Sequence, residues 1–434
     1  MPNQSQEQHK MGILQGLSIV IGVIIGSGIF LKPSTVLQSA GTPAMALLAW
    51  GLGGLVTLAS ALSISEIASA IPESGGLYLY LQRLYGDVWG FLLGWVQTII
   101  SYPASVAALA IAFTTNLDVF IPLSPSMQKV VALGILFFLV GMNILSTRCG
   151  GAIQVLSTIG KLIPMAAIIF FGLFAAPDLE SSTTGAVTAT GFGAAMLGTL
   201  WAYDGWIGVT NMAGELKNPS KSLPKVIAIG VSAVVLVYVL FNWGIFQVLP
   251  YEEAVTSQTP ATLAAVHIFG PRGAALLTAG IIISVVGSMN GYLMTAARVP
   301  LTMSQQGQLP FSHTLGKLRG RSKTPCNALL LEGVIAALLV LSGSYDLLTN
   351  LLVFVLWIFF TMGVFGVFLL RKKYPNREGG YRVPLYPVTP LIGIVGAIYI
   401  LVSTVFSDPL QAILGIALTL VGLPVYFYLR KKRA

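Results

Sequence analysis

Twelve runs of about 20 mostly apolar residues, separated by short polar connections, limit this chain more than any other feature. That length lets an α-helix cross ~30 Å of hydrocarbon at about 1.5 Å per residue. Charged residues make up 9% of the 434 positions and mean hydropathy is +0.83, against roughly 25% charged in soluble domains. The sequence therefore predicts an all-α polytopic membrane protein with twelve transmembrane helices.

The first run predicts a helix from Gly12 to Ser39, the second one from Pro43 to Ile71, and the third one from Trp89 to Asn116 with a kink at Pro103. The fourth covers Lys129 to Leu145 and the fifth Gly151 to Phe174. An outer loop rich in Ser, Thr and Gly, Ala175 to Thr190, leads to the sixth, Gly191 to Glu215. The seventh is Leu223 to Val248, the eighth Gly273 to Val299, the ninth Ala328 to Leu341 and the tenth Leu347 to Leu370; Leu391 to Phe406 and Leu410 to Leu429 complete the set. Between the second and third, Ile71-Pro72-Glu73-Ser74-Gly75-Gly76-Leu77-Tyr78 reads as a turn. A loop with Glu252, Glu253 and His267 precedes the eighth, and a basic loop to Pro325 follows it. The first ten residues are polar and the next run lacks a cleavage pattern, so no cleavable signal peptide is expected.

Two of the runs are interrupted. In the first, Gly26-Ser27-Gly28 breaks the helix, because glycine disfavours helix and permits other backbone angles. Gly22 and Gly26 also form Gly-xxx-Gly, a spacing that serves close helix packing in membranes. A second break, Trp201-Ala202-Tyr203-Asp204-Gly205-Trp206-Ile207-Gly208, falls in the matching place of the sixth run and favours a ligand site over packing. Residues 12–175 and 191–371 then form two five-helix repeats, flanked by an N-terminal stretch (1–11), two additional helices (389–429) and a tail (430–434). An odd number of spans per repeat inverts the second against the first, as in secondary transporters.

Unpaired backbone groups at mid-membrane need protein, water or a ligand to satisfy them. The N–H groups of Ser27, Gly28 and Ile29 open a half-helix and suit a carboxylate. Carbonyls of Val23, Ile24, Ala202 and Tyr203 suit an ammonium, so the zwitterionic head of an amino acid fits both. Tyr203 and Trp206, beside Gly205, either line the pocket or pack as aromatic core; Asp204 either binds an ammonium directly or, as the favoured role, caps the broken helix.

Lys161 lies ten residues into an apolar helix, where a charge costs at least ~2.5 kcal/mol on insertion scales, so it needs partners. Candidates are the carbonyl end of the first half-helix around Gly22, and Ser284 with Ser288, which share one face of the eighth helix. Its ammonium is expected to stand where a sodium ion would bind, joining segments one, five and eight. Glu66 and Glu332, near helix ends, read as gate or loop contacts.

Of the 24 Lys and Arg residues, all but Lys32, Lys129, Lys161 and Arg272 fall on one side of this arrangement, which the positive-inside rule assigns to the cytoplasm together with both termini. The net charge of +9 is thus a membrane-topology signal and does not call for nucleic acid. Cys149 and Cys326 fall in cytoplasmic connections, where a structural disulfide is not expected. His9, His267 and His313 lie outside the apolar runs, so no metal site or cofactor is expected. No Gly-x-x-x-x-Gly-Lys-Ser/Thr sequence is present, which disfavours an ATP-driven pump.

Ile25-Gly26-Ser27-Gly28-Ile29-Phe30, the Ile71 to Gly76 stretch, Ala202-Tyr203-Asp204-Gly205-Trp206, Gly214-Glu215-Leu216-Lys217-Asn218-Pro219 and Tyr381-Arg382-Val383-Pro384-Leu385-Tyr386-Pro387 together resemble the amino acid–polyamine–organocation superfamily. They are most similar to its L-type amino acid transporter branch, near the bacterial serine/threonine and alanine/serine/cysteine exchangers. The resemblance covers nearly the whole chain. It implies a LeuT-type 5+5 inverted repeat with broken helices one and six, in which segments one, two, six and seven move against three, four, eight and nine. It also implies sodium-independent exchange of neutral L-amino acids, with Lys161 matching the fifth-helix lysine of the family. Animal members carry a cysteine between helices three and four that links a glycoprotein subunit; Leu117 to Gln128 has none here, so no disulfide-linked heavy subunit is expected.

Three functions compete on these features. One is an antiporter of small neutral L-amino acids (alanine, serine, cysteine, threonine) in the cytoplasmic membrane, with large neutral ones as the variant. Another is a proton-coupled symporter in which Lys161 gives up its proton during the cycle. The last is a non-transporting sensor, which the four-residue basic tail after Leu429 does little to support.

Overall fold

The computed structural model describes residues 11–73, 75–145, 147–174, 188–320, 324–375 and 380–433. Among them all twelve expected segments are helical. Eight helices are long and apolar enough to cross a membrane, and the pair Ile13–Ile24 and Gly28–Ala40, meeting at 41°, forms a ninth. Gly160–Phe174, Cys326–Ser342 and Ala189–Ala202 are apolar but shorter. Large side chains such as Leu276 (79% exposed) and Phe406 (74%) stand outward, as lipid contact requires.

Several boundaries differ from the sequence expectation, each for a local reason. The turn after the second segment is shorter, because Gly75 (φ 125°) starts a helix at Gly76–Tyr85. In the third segment, Asp87–Leu117, the distortion expected at Pro103 is a π-helical turn, Gln97–Ser101, which absorbs the missing proline N–H. The loop before the eighth segment is mostly helix: Tyr251–Thr256 comes first, and Pro260–Ala296 bends at Gly270 ahead of Pro271. Arg298–Gln305 then extends the eighth segment into what was expected to be loop. The inner half of the sixth is reduced to Gly208–Asn211 and a single 3₁₀ turn, Ala213–Glu215, before Asn218-Pro219 starts the seventh helix, Pro219–Val248. The Ala175 to Thr190 loop lies mainly outside the described residues, as do the Cys149 side chain and His9.

The helix contacts come in related pairs. Exchanging segments one with six, two with seven, three with eight and five with ten maps observed contacts onto other observed contacts. Thus five packs on eight as ten packs on three; seven packs on one as two packs on six; and seven packs on five as two packs on ten. That is the relation an inverted repeat produces. The eleventh and twelfth segments, Val388–Ser407 and Pro409–Lys431, lie outside this relation and pack on segments two, ten and six or on ten and three.

Candidate functional site

The two broken helices meet back to back at the centre of this arrangement. The first is unwound over residues 25–27, and Gly28 opens its second half directly against the sixth segment. A Cβ placed on Gly28 would lie 2.6 Å from Ala202 Cα, so only glycine lets the breaks come this close. Gly205 holds φ at 105°, and a side chain there would run into Val23. Around the first break, Phe30 and Leu31 donate their N–H groups to Ser27 O. The N–H groups of Ser27, Gly28 and Ile29 have no acceptor among the described residues. They sit at the positive end of a 13-residue helix, the arrangement that holds a carboxylate.

At the other side of the break the carbonyls of Gly22 and Ile25 are already spoken for. Lys161 Nζ, fully buried, donates to Gly22 O at 2.7 Å, to Ile25 O, and to Ser288 Oγ at 3.2 Å. Ser284 Oγ reaches Ile25 O at 3.2 Å, and Ser288 Oγ lies 2.9 Å from Gly22 O and 2.8 Å from Ile25 O. The lysine therefore meets the helix end and the serine face together, and segments one, five and eight converge on it. An ammonium at the carbonyl end of a helix satisfies orphan acceptors and complements the dipole. Among the described residues no carboxylate pairs with it.

Ile24 differs from its expected role as an ammonium ligand. Its carbonyl accepts Gly26 N–H at 2.7 Å and the Tyr238 hydroxyl at 2.8 Å, which uses both lone pairs. Tyr203 is core: its ring packs on Trp50 and Tyr238, and its hydroxyl donates to Trp50 O at 3.0 Å. Trp206 is fully buried and packs on Phe360 of the tenth segment. Asp204 does not cap the helix starting at Gly208; its carboxylate accepts the Tyr292 hydroxyl from the eighth segment at 2.8 Å.

Both ends of the break region are covered. On one side the Tyr345 hydroxyl bonds Ser27 Oγ (3.1 Å) and accepts Trp201 Nε1–H (2.8 Å). Beside it Lys32, 2% exposed, pairs with Asp346 at 2.6 Å on a polar cavity of about 300 Å³ whose lining includes Thr35 and Asn350. On the other side Asn211 donates to the Tyr102 hydroxyl at 2.6 Å, and Arg298 pairs with Glu215 at 3.3 Å. Sequence reasoning missed Tyr345, Tyr292 and Tyr238. The one signal for the first was a tyrosine at the mouth of the tenth apolar run; the other two sit in apolar runs like any core aromatic.

Comparison with known proteins is consistent along the chain. The profile described as amino acid permease matches residues 11–422. The serine/threonine exchanger SteT of Bacillus subtilis (strain 168) is 40% identical over 98% of each chain. The cystine/glutamate transporter of Homo sapiens is 31% identical over 98% of this chain and 86% of its own. The Asc-type amino acid transporter 1 of Mus musculus is 30% identical over 97% and 81%.

Proposed function

Because the chain belongs to the amino acid permease family, we propose that it exchanges small neutral L-amino acids one for one across the cytoplasmic membrane, without sodium. Alanine, serine, cysteine and threonine are the substrates proposed; that a relative is named a serine/threonine exchanger supports the class. The observation that carries the reading is the paired break. The substrate carboxylate rests on the N–H groups of Ser27, Gly28 and Ile29, and its ammonium on carbonyls of Val23, Ala202 and Tyr203. Gly26 and Gly205 let Ser288 and Val23 approach the two breaks closely.

Lys161 fills the cation position with a fixed ammonium bonded to Gly22, Ile25 and Ser288. A covalently held charge replaces the ion, so no sodium gradient is needed. The asymmetry of Lys and Arg supports a cytoplasmic location of both termini. On this orientation Tyr345 and Trp201 cover the site toward the outside, while Asn211, Tyr102, Glu215 and Arg298 cover it toward the cytoplasm. Segments one and six carry the substrate between these two covers.

The test is uptake of labelled L-serine into proteoliposomes in sodium-free buffer, with and without unlabelled serine inside. Uptake confined to preloaded vesicles is expected. Equal uptake into empty vesicles under an imposed proton gradient would overturn exchange in favour of a proton-coupled carrier.

A further inference from the structure

Among the described residues, Glu332 is the one carboxylate buried to 1% exposure whose two oxygens both lack a hydrogen-bond partner. It sits two turns into the ninth segment, against the third and fourth. A bare carboxylate in such a place forfeits its hydration for nothing, a cost that either a proton on the oxygen or a cationic partner relieves. The groups that face it are few. Arg298 opens the helix Arg298–Gln305 and Tyr102 the helix Tyr102–Leu117, and both of these helices pack on the ninth segment, so they bring a guanidinium and a phenol to the helix that carries Glu332. Tyr102 is occupied by the Asn211 amide. The fourth segment meets this turn through Val140 against Gly333, and the short helix Ser312–Leu315 contributes only the exposed His313. Tyr292, the titratable group of the eighth segment in this region, donates to Asp204.

Arg298 therefore has two possible carboxylates, on parts of the molecule with different roles. It now bonds Glu215 at 3.3 Å and the Met294 carbonyl. Glu215 ends the inner half of the broken sixth segment, whereas Glu332 stands on the ninth. We propose that Glu332 is the alternate acceptor for Arg298: it holds a proton while the basic end is closed, and loses it when the sixth segment withdraws Glu215 and the guanidinium turns to helix nine. The proton leaves to the basic face and returns from it on closing, so it is not carried across and amino acid exchange stays one for one. Opening is thereby favoured at higher pH on that face. This rests on the exchange reading for its functional consequence, but the carboxylate swap can be tested apart from it.

Infrared difference spectra of the full chain in liposomes, wild type against E332Q, read the protonated carboxyl directly through its C=O stretch. A carboxylic acid band at neutral pH that is lost in E332Q is expected. E215Q removes the competing acceptor and leaves Glu332 intact; Arg298 then turns to Glu332, and the same band falls by half or more. In preloaded vesicles wild-type exchange should slow as the pH on the basic face drops, while E332Q gives a flat profile. A band unchanged in E332Q or in E215Q would overturn the swap whatever the vesicles do. An E332Q profile that follows wild type would overturn the link to opening. If wild type exchanges no amino acid, the exchange reading fails while the two spectra still judge the swap.

Discussion

A single added methyl at Gly28 has nowhere to go: its carbon would stand 2.6 Å from Ala202 Cα, backbone that cannot step aside. Gly28→Ala should cost about 1–3 kcal/mol through overpacking and displace the N–H groups proposed to hold carboxylate. A lowered thermal midpoint together with lost serine protection in a thermal-shift assay is expected; wild-type protection would contradict the carboxylate site. Lys161→Ala acts differently, since it leaves Gly22, Ile25 and Ser288 without the ammonium that joins three segments but touches no proposed substrate group. Exchange should slow by about tenfold or more, ~1.4 kcal/mol of barrier, with substrate protection partly retained; wild-type rates would refute the role. The need of Lys161 for partners was legible in sequence, because a charge in an apolar run demands them and serines four apart share a face. The direction of the Ile24 carbonyl was not legible. It depends on how three unwound residues turn and on a tyrosine 214 positions away.

Among the elements, the segment that follows the tenth helix shows how a loop motif becomes structure. Glu66, 2% exposed near the end of the second helix, accepts Arg371 Nε at 2.9 Å and Nη2 at 2.8 Å, and also the Val383 N–H at 2.7 Å. The same guanidinium lies 3.8 Å from the Tyr386 ring centroid, so the Tyr381 to Pro387 stretch is clamped to helices two and ten. Glu66→Gln breaks the charged pair and should cost about 2 kcal/mol, below the usual buried-pair cost because Arg371 is 28% exposed. A lower thermal midpoint with exchange per folded molecule preserved is the outcome to look for; an unshifted midpoint would show the clamp to be idle. Helix existence was legible nearly everywhere because apolar length signals a span directly. What escaped were the helices Gly76–Tyr85, Tyr251–Thr256 and Arg298–Gln305, the first turns of Pro260–Ala296, and the shortness of the inner sixth half. Their length is decided by what they pack against, and hydropathy carries no information about that.

At the scale of the whole molecule, the two covers of the break region decide which face the site meets. Two hydrogen bonds converge on one phenol: Tyr345 joins Ser27, inside the break, to Trp201 on the sixth segment. Both bonds tie segments one and six to helix ten, so on the proposed movement of those two segments they exist only while that end is closed. Tyr345→Phe keeps the ring and its edge contact with Trp201 but removes both bonds. At about 1 kcal/mol each, their loss shifts the closed-to-open ratio at that end by about 30-fold. The lining of the adjacent cavity reports the change. Thr35→Cys, in a background lacking Cys149 and Cys326, places a thiol on that cavity wall, where a membrane-impermeant maleimide reaches it faster as the cover loosens. Labelling should accelerate by tenfold or more when Tyr345→Phe is added, and excess serine should slow it again by drawing the cover shut over substrate. Equal labelling rates with and without the hydroxyl would mean that the Lys32–Asp346 pair beside it holds the end closed alone, and would remove Tyr345 from the cover.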